Sequence, residues 1–234
     1  FRFGDGSPAV TITSPNPPVA SHIYAGAGVY RASLQVTDVR GKTSINIAEQ
    51  FITVSENVPG VLSVVSRKSH GAAGSFDIPL PLQNSLGVEP RSGGPGKNYT
   101  MIFSFEHNVL SVAGVDITGG NGTISSAVVG PNTNQFTVNL SNVETQQAVE
   151  VTLSNVLDSS GATISAVQAT MGVLIGDVTH DQSVNSGDSQ VTRSRSGQLA
   201  NGANFRSDVN TDGAINSGDA IIVRSRSGNA IIGQ

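Results

Sequence analysis

The chain has 234 residues, of which 37% are hydrophobic and 13% are charged, and its formal net charge is −4 at pH 7. It contains no cysteine, which excludes disulfide bridges and thiolate metal sites. The sequence contains no apolar run of 18 residues, the length that would indicate a membrane span. It also contains no basic stripe with stacking aromatic residues, the pattern that would indicate a nucleic-acid partner.

A first domain is predicted for residues 1–57. Gly4 and Gly6 mark an early turn, and residues 11–13 form a short β-prone stretch. Residues 28–38 alternate between two sets of side chains, only one of them apolar, which predicts a strand with one buried face. A turn at residues 38–41 and a last strand within residues 44–54 complete this antiparallel pattern.

Four segments of this domain resemble the PKD domain: FGDGS at residues 3–7, HIY at 22–24, GVY at 28–30 and LQVTDVRG at 34–41. That family consists of small immunoglobulin-like modules of surface proteins, in which the FGDGS segment lies near the middle of the fold. The resemblance implies that the first one or two strands of the module are missing. Either the parent chain continues upstream, as a start without Met suggests, or a strand from another subunit pairs with the open edge.

A second domain is predicted for residues 61–175, after the short linker at residues 56–60. Segments 75–80, 99–105, 135–140 and 149–156 alternate, and turn signals separate them, which favours a second antiparallel sandwich. A last strand at residues 171–175 runs into the next segment without a linker, so we expect rigid packing there. This domain resembles bacterial Ig-like repeats, and residues 103–116 are similar to a strand and turn of cohesin modules. The second likeness implies head-to-tail polymerisation.

The third predicted domain, residues 176–234, contains one unit written twice. Residues 176–197 and 207–228 align without gaps at a period of 31 residues, with 12 of 22 positions identical. Both copies place oxygen-bearing residues at the spacing of an EF-hand loop, which suits Ca²⁺. The predicted ligands are Asp177, Thr179, Asp181, Ser183, Asn185 and Asp188 in the first loop, and Asp208, Asn210, Asp212, Ala214 (through its carbonyl), Asn216 and Asp219 in the second.

The second loop is predicted to bind Ca²⁺ more strongly than the first. Gly213 supplies the sharp turn at loop position 6, whereas the first loop has Gln182 there and needs an adjusted backbone. Thr179 also offers only a neutral hydroxyl at position 3. The alternative is a pair of Asx-rich turns that cap short helices without any metal.

The paired loops, each ending in Asp before one short helix, resemble the type I dockerin family. The resemblance implies two Ca²⁺ sites and a cohesin module as partner, contacted through loop positions 10 and 11 and the following helix. Two matched RSR clusters indicate either a contact patch for an acidic partner or favourable charges at helix ends. The residues expected to contact a partner are Ser186, Gly187, Arg193, Arg195, Ser217, Gly218, Arg224 and Arg226.

The sequence contains no recognisable catalytic motif. The four histidines are scattered and form no zinc pattern, and His180, at loop position 4, is expected to be exposed. Six carboxylates outside the loops are expected to be solvated surface groups, which argues against a glycosidase pair. These are Glu89, Glu106, Asp116, Glu144, Glu150 and Asp158.

These patterns predict a mainly β protein, with two Ig-like antiparallel sandwiches followed by a small α module that carries two EF-hand-type calcium loops. The predicted function is non-catalytic: calcium-dependent attachment of a bacterial extracellular or cell-surface protein to a cohesin-like module or to another copy of itself. One alternative is a self-assembling subunit of a filament or stalk, which would form a homo-polymer. Another is an appendage of an upstream polysaccharide-degrading enzyme.

Overall fold

The computed structural model describes residues 1–13, 19–24, 28–44, 48–54, 60–82 and 86–231. The chain divides into two compact units, Phe1–Val58 and Pro59–Gln234. The predicted fold class is confirmed, since strands dominate and two short helices lie in the C-terminal region. The limits of the three predicted domains stay predictions.

The first unit contains one two-stranded antiparallel sheet in its described part, formed by β1 (Gly28–Leu34) and β2 (Ala48–Val54). The turn between them is held by Asp38, whose carboxylate accepts the N–H groups of Arg40 and Lys42 at 2.9 and 2.8 Å. Residues 11–13, expected to be β-prone, form no strand. The resemblance of this unit to the PKD domain stays a prediction.

Nine strands form two sheets in the described part of the second unit. One sheet has the order β5-β11-β10-β7 and the other β4-β3-β6-β9-β8. Neighbouring strands are antiparallel, except that β5 runs parallel to β11. The strands are β3 (Val61–Ser69), β4 (Ser75–Pro79), β5 (Gly87–Glu89), β6 (Tyr99–Phe105), β7 (Val109–Gly119), β8 (Thr123–Val129), β9 (Gln135–Ser141), β10 (Gln147–Asp158) and β11 (Thr163–Val173).

The core of this unit lies between the two sheets. Alternate residues of β6 and β10 point inward, because successive side chains of a strand face opposite sides of the sheet. Met101, Phe103, Leu153 and Val151 are fully buried in one hydrophobic cluster. The strand predicted at 171–175 overlaps the end of β11, but β11 begins earlier, at Thr163, and ends at Val173, so residues 174 and 175 lie outside it.

Two carboxylates expected at the surface, Glu89 and Asp158, are instead buried, so that expectation is wrong for them. Burial favours a raised pKa for Glu89, but the Arg91 guanidinium, the Lys68 ammonium and the Ser66 hydroxyl together outweigh it and leave the pKa lowered. Arg91 donates from Nε and Nη2 to the two oxygens of Glu89 at 2.7 Å each. The expectation for Glu89 was wrong because its ion pair with Arg91, two residues away on an extended segment, has no periodic signature in the sequence.

The C-terminal helices α1 (Ser186–Ser194) and α2 (Ser217–Ser225) each start at a capping box. A small second core joins the sandwich to this region: Val88 and Leu174 pack with Val178, Val209 and Val223. The predicted rigid packing therefore has an apolar basis. Within the described ranges, neither helix has the length and apolar character that crossing a bilayer requires.

We expect Arg91→Met to destabilise the protein by about 3–5 kcal/mol, because it leaves the buried Glu89 carboxylate without its partner. The control is Arg67→Met. Arg67 pairs with Asp77 across β3 and β4, but both side chains are about one-third exposed (35% and 34%), so the expected loss is below about 1 kcal/mol. Urea unfolding at saturating Ca²⁺ measures both. Equal losses would show that burial of the Arg91 pair has no special weight.

Candidate calcium sites

The first loop brings three carboxylates together. Oxygens of Asp177, Asp181 and Asp188 lie within 4.8 Å of one another. Among the described residues, no other three acidic or histidine side chains lie this close together. Asp177 and Asp188 are buried, whereas Asp181 is exposed. A cluster of carboxylate oxygens at one side of a loop is a donor set that a hard divalent cation prefers.

Backbone N–H groups of the loop fix these carboxylates. Asp177 accepts the N–H of Asp181 at 3.1 Å and that of Gln182 at 2.9 Å. Asp188 accepts the N–H groups of Thr179 at 2.9 Å and Asn185 at 2.8 Å. The first and the last aspartate of the loop are therefore both held by hydrogen bonds from the loop backbone.

The second loop repeats these contacts 31 residues later. Asp208 accepts from the N–H groups of Asp212 at 3.2 Å and Gly213 at 2.8 Å. Asp219 accepts from Asn210 N–H at 3.1 Å and Asn216 N–H at 2.9 Å. Its three aspartates do not form a comparable cluster among the described residues, so the carboxylate cluster lies in the loop that the sequence predicts to be the weaker one.

The electrostatics of both loops favour a bound cation. Burial, together with the nearby carboxylates of Asp188 and Asp181, raises the pKa of Asp177 to about 6, although backbone hydrogen bonds oppose this rise. Burial and the Asp208 carboxylate also raise the pKa of Asp219. A positive ion would offset this repulsion, and the oxygen-only donor set fits Ca²⁺.

The remaining predicted ligand positions lie in the same two loops. Asn185 Nδ2 donates to Asp181 Oδ2 at 3.2 Å and to Ser183 Oγ at 3.1 Å. Asn210 Nδ2 donates to Asp212 Oδ2 at 2.8 Å. Asn216 Nδ2 donates to the carbonyl of Ala214 at 3.1 Å. Thr179 Oγ1 donates to Asp188 at 2.9 Å.

Loop position 6 adopts a left-handed backbone in both copies. Gln182 has φ 68° and Gly213 has φ 98°, so the first loop makes the turn with the adjusted backbone expected of a side-chain-bearing residue. His180 is exposed, as expected, and also has a positive φ of 53°. Gly213 has a second reason to be glycine, because a Cβ there would lie 2.7 Å from the carbonyl oxygen of His70.

The two loops are closed by each other's flanking segments. Val184 of the first loop exchanges backbone hydrogen bonds with Gly228 and Asn229, which follow α2, at 2.8 Å each. Ile215 of the second loop does the same with Gly197 and Gln198, which follow α1, at 2.8 and 2.9 Å. The repeats therefore form one interlocked pair.

A groove lies between α1 and α2. It is lined by Ser186, Ser189, Gln190, Arg193, Ser194, Arg224 and Ser227.

The structure brings three of the eight residues expected to contact a partner, Ser186, Arg193 and Arg224, into this groove. Ser217 is exposed, and the N–H groups of Gly187 and Gly218 donate to the helix N-caps.

The two RSR clusters divide into an outer and an inner arginine. Arg193 and Arg224 are exposed, whereas Arg195 and Arg226 are half-buried. Arg195 donates from Nη1 to Ser207 Oγ at 2.9 Å. The outer pair is therefore available to a partner, and the inner pair packs within the module.

Sequence reasoning missed one residue at the second loop. His70 Nδ1 lies 2.7 Å from Asp208 Oδ2, although the two residues are 138 positions apart. Both side chains are fully buried. A single histidine with no neighbouring ligand pattern carries no signal in the sequence, and only the packed fold brings it to the loop.

We expect the Asp188→Asn and Asp219→Asn variants each to lose one of two calcium sites, because each removes the charge that closes one loop while keeping an acceptor for the helix cap. Isothermal titration calorimetry should show about one bound Ca²⁺ per variant. At a free Ca²⁺ of about 100 times Kd, each filled site should stabilise the fold by roughly 2.7 kcal/mol. Asp116→Asn, an exposed site on β7, is the control. Equal stoichiometry in all three variants would contradict two loop-specific sites.

Comparison with known proteins adds one finding. Residues 175–226 match the family model of the dockerin type I domain, a segment that includes both loops and both helices. No curated protein and no solved structure matches the chain. The match supports a dockerin type I domain at residues 175–226, a non-catalytic, calcium-binding module for attachment to a protein partner.

Proposed function

We propose that this chain is the calcium-stabilised attachment segment of a bacterial extracellular or cell-surface protein. The observation that carries the proposal is the groove between α1 and α2, because each flanking helix has the last carboxylate of a loop in its first turn. In this proposal residues 1–57 and 61–175 act as spacer domains. Residues 176–234 bind a cohesin-like module of another protein.

Calcium binding stabilises the groove through the N-terminal turns of α1 and α2. Asp188 is both the last predicted ligand of the first loop and the N3 residue of α1, where it accepts the N–H of Asn185. Asp219 has both roles for α2. Bound Ca²⁺ supplies the positive charge that offsets repulsion between these carboxylates and those at position 1. Ion binding therefore stabilises the loops and, with them, the orientation of both helices. All twelve predicted ligands are proposed to serve, with the second loop the tighter site.

The chemistry of the groove indicates the kind of surface it fits. Its lining combines two exposed arginines, Arg193 and Arg224, with serine hydroxyls and one glutamine. Both arginines lie in the last turn of their helices, where a positive charge also interacts well with the helix dipole. Arginine and hydroxyl donors suit a partner surface that presents carboxylates and carbonyl oxygens.

We expect the Arg193→Ala, Arg224→Ala double variant to bind a type I cohesin panel at least about ten-fold more weakly than the wild type, since both exposed guanidinium groups in the groove are lost. Surface plasmon resonance in millimolar Ca²⁺, and again with EGTA, measures the effect. Arg40→Ala, an exposed arginine of the first unit, is the control. Calcium-dependent binding that the double variant leaves unchanged would place the contact elsewhere.

The same preparation separates the two alternatives. Calcium-independent polymers of the purified chain in analytical ultracentrifugation, together with no cohesin binding, would favour a filament or stalk subunit. Release of reducing sugar from polysaccharide by this chain itself would assign catalysis to this chain rather than to an enzyme domain upstream of it. Either result would overturn attachment to a foreign protein as the function.

A further inference from the structure

A buried histidine of the sandwich meets the second calcium loop. His70 directly follows β3, and its ring is fully buried. Its Nδ1 lies 2.7 Å from Asp208 Oδ2, and its Nε2 lies 3.1 Å from Arg91 Nη1. The ring therefore bridges the sandwich and the first carboxylate of the loop.

The contact with Arg91 assigns the tautomer of this ring. A guanidinium group only donates hydrogen bonds, so Nε2 of His70 must accept. The ring hydrogen then resides on Nδ1, which donates to Asp208 Oδ2. Arg91, a residue of the sandwich, thus determines that His70 is the donor in its hydrogen bond with Asp208.

Arg91 is itself held in place on every side. It donates to both oxygens of Glu89, to the carbonyl of Phe76 at 2.8 Å and to the carbonyl of Ser66 at 3.0 Å. The rings of Phe76 and Phe205 stack at 5.2 Å, and His70 lies edge-on to both, at 5.1 and 6.1 Å. The imidazole is therefore confined to one orientation.

The hydrogen bond from His70 engages one particular oxygen of Asp208. Oδ2 accepts from His70 and from the N–H of Gly213 at 2.8 Å, while Oδ1 accepts from the described residues only the longer contact of Asp212 N–H at 3.2 Å. Oδ1 thus retains more capacity for a further positive partner. Asp177, the counterpart in the first loop, has no side-chain donor among the described residues and is held by backbone N–H groups alone.

The backbones of the two elements also meet without room for side chains. A Cβ on Gly71 would lie 2.6 Å from the carbonyl oxygen of Asp212, and a Cβ on Gly213 would lie 2.7 Å from that of His70. Real Cβ atoms do not approach this closely, so both positions require glycine. The second loop is seated on the turn that follows β3.

We propose that His70 is a positioning residue for the second calcium loop: it orients Asp208 for the ion and makes the sandwich a determinant of calcium affinity at that loop alone. The inference rests on the proposed calcium binding. Partners that orient a ligating carboxylate change metal affinity by about 10–100-fold when they are removed. The first loop, where the described residues offer Asp177 no such partner, is the internal control.

The test uses the whole chain in two backgrounds. Asp188→Asn leaves the second loop to bind Ca²⁺, and Asp219→Asn leaves the first. In the former background, His70→Leu should raise the Kd for Ca²⁺ by about 10–100-fold in calorimetry. His70→Asn, which keeps an N–H donor bonded to Cγ as in Nδ1, should recover most of the affinity. In the latter background, His70→Leu should change the Kd by less than about three-fold.

Three outcomes would overturn the proposal: an equal loss at both loops, no loss at either, or no recovery with Asn. If the wild type itself binds no Ca²⁺, the proposed function fails. If the wild type binds Ca²⁺ no more tightly than His70→Leu does, only the role of His70 fails. Circular dichroism reports whether the variants fold.

If the His70 variants do not fold, ¹⁵N spectra of the His70 imidazole in the unsubstituted chain and in Asp219→Asn decide. They should show the proton on Nδ1 of His70 and a shift as Ca²⁺ is added, which Asp219→Asn abolishes. A proton on Nε2, or resonances that Ca²⁺ does not move, would overturn the proposal.

Discussion

The hydrogen-bonded chain Glu89–Arg91–His70–Asp208 links the sandwich to the calcium module through groups that are all fully buried. Burying so many polar groups is costly unless each finds a partner, and here each one does. The pairing also needs close approach of the backbones, which Gly71 and Gly213 allow. Because the module meets the sandwich through this network and a small apolar cluster, its orientation depends on polar groups of fixed geometry as well as on apolar contact.

The module combines internal symmetry with an asymmetric environment. The two loops have matched hydrogen bonds around their first and last aspartates, and each is closed by the segment that follows the other helix. Only the second loop has a sandwich side chain on its first aspartate among the described residues. The first loop instead has the tighter carboxylate cluster. Two nearly identical sequences thus acquire different electrostatic surroundings from their place in the fold.

Periodic signals predicted what depends on local pattern. Alternation located β6 and β9, whose inward faces are apolar, and the 31-residue repeat located both loops and helices. Alternation failed for β7 and β8, because nearly all of their side chains are exposed or only partly buried, including most of the apolar ones that pack against the core. The roles of Glu89, Arg91 and His70 were invisible for a different reason: each depends on a contact between distant segments. Ligand spacing is local, but the groups that orient a ligand are not.

The reciprocal closure of the loops has a consequence for biosynthesis. The first loop pairs through Val184 with Gly228 and Asn229, which lie beyond the second helix in the sequence. During synthesis, those residues emerge only once the whole of the second helix has been made. The first repeat must therefore wait for the second before it can complete its own hydrogen bonding. The two halves then mature together at a late stage, rather than one after the other as separate units.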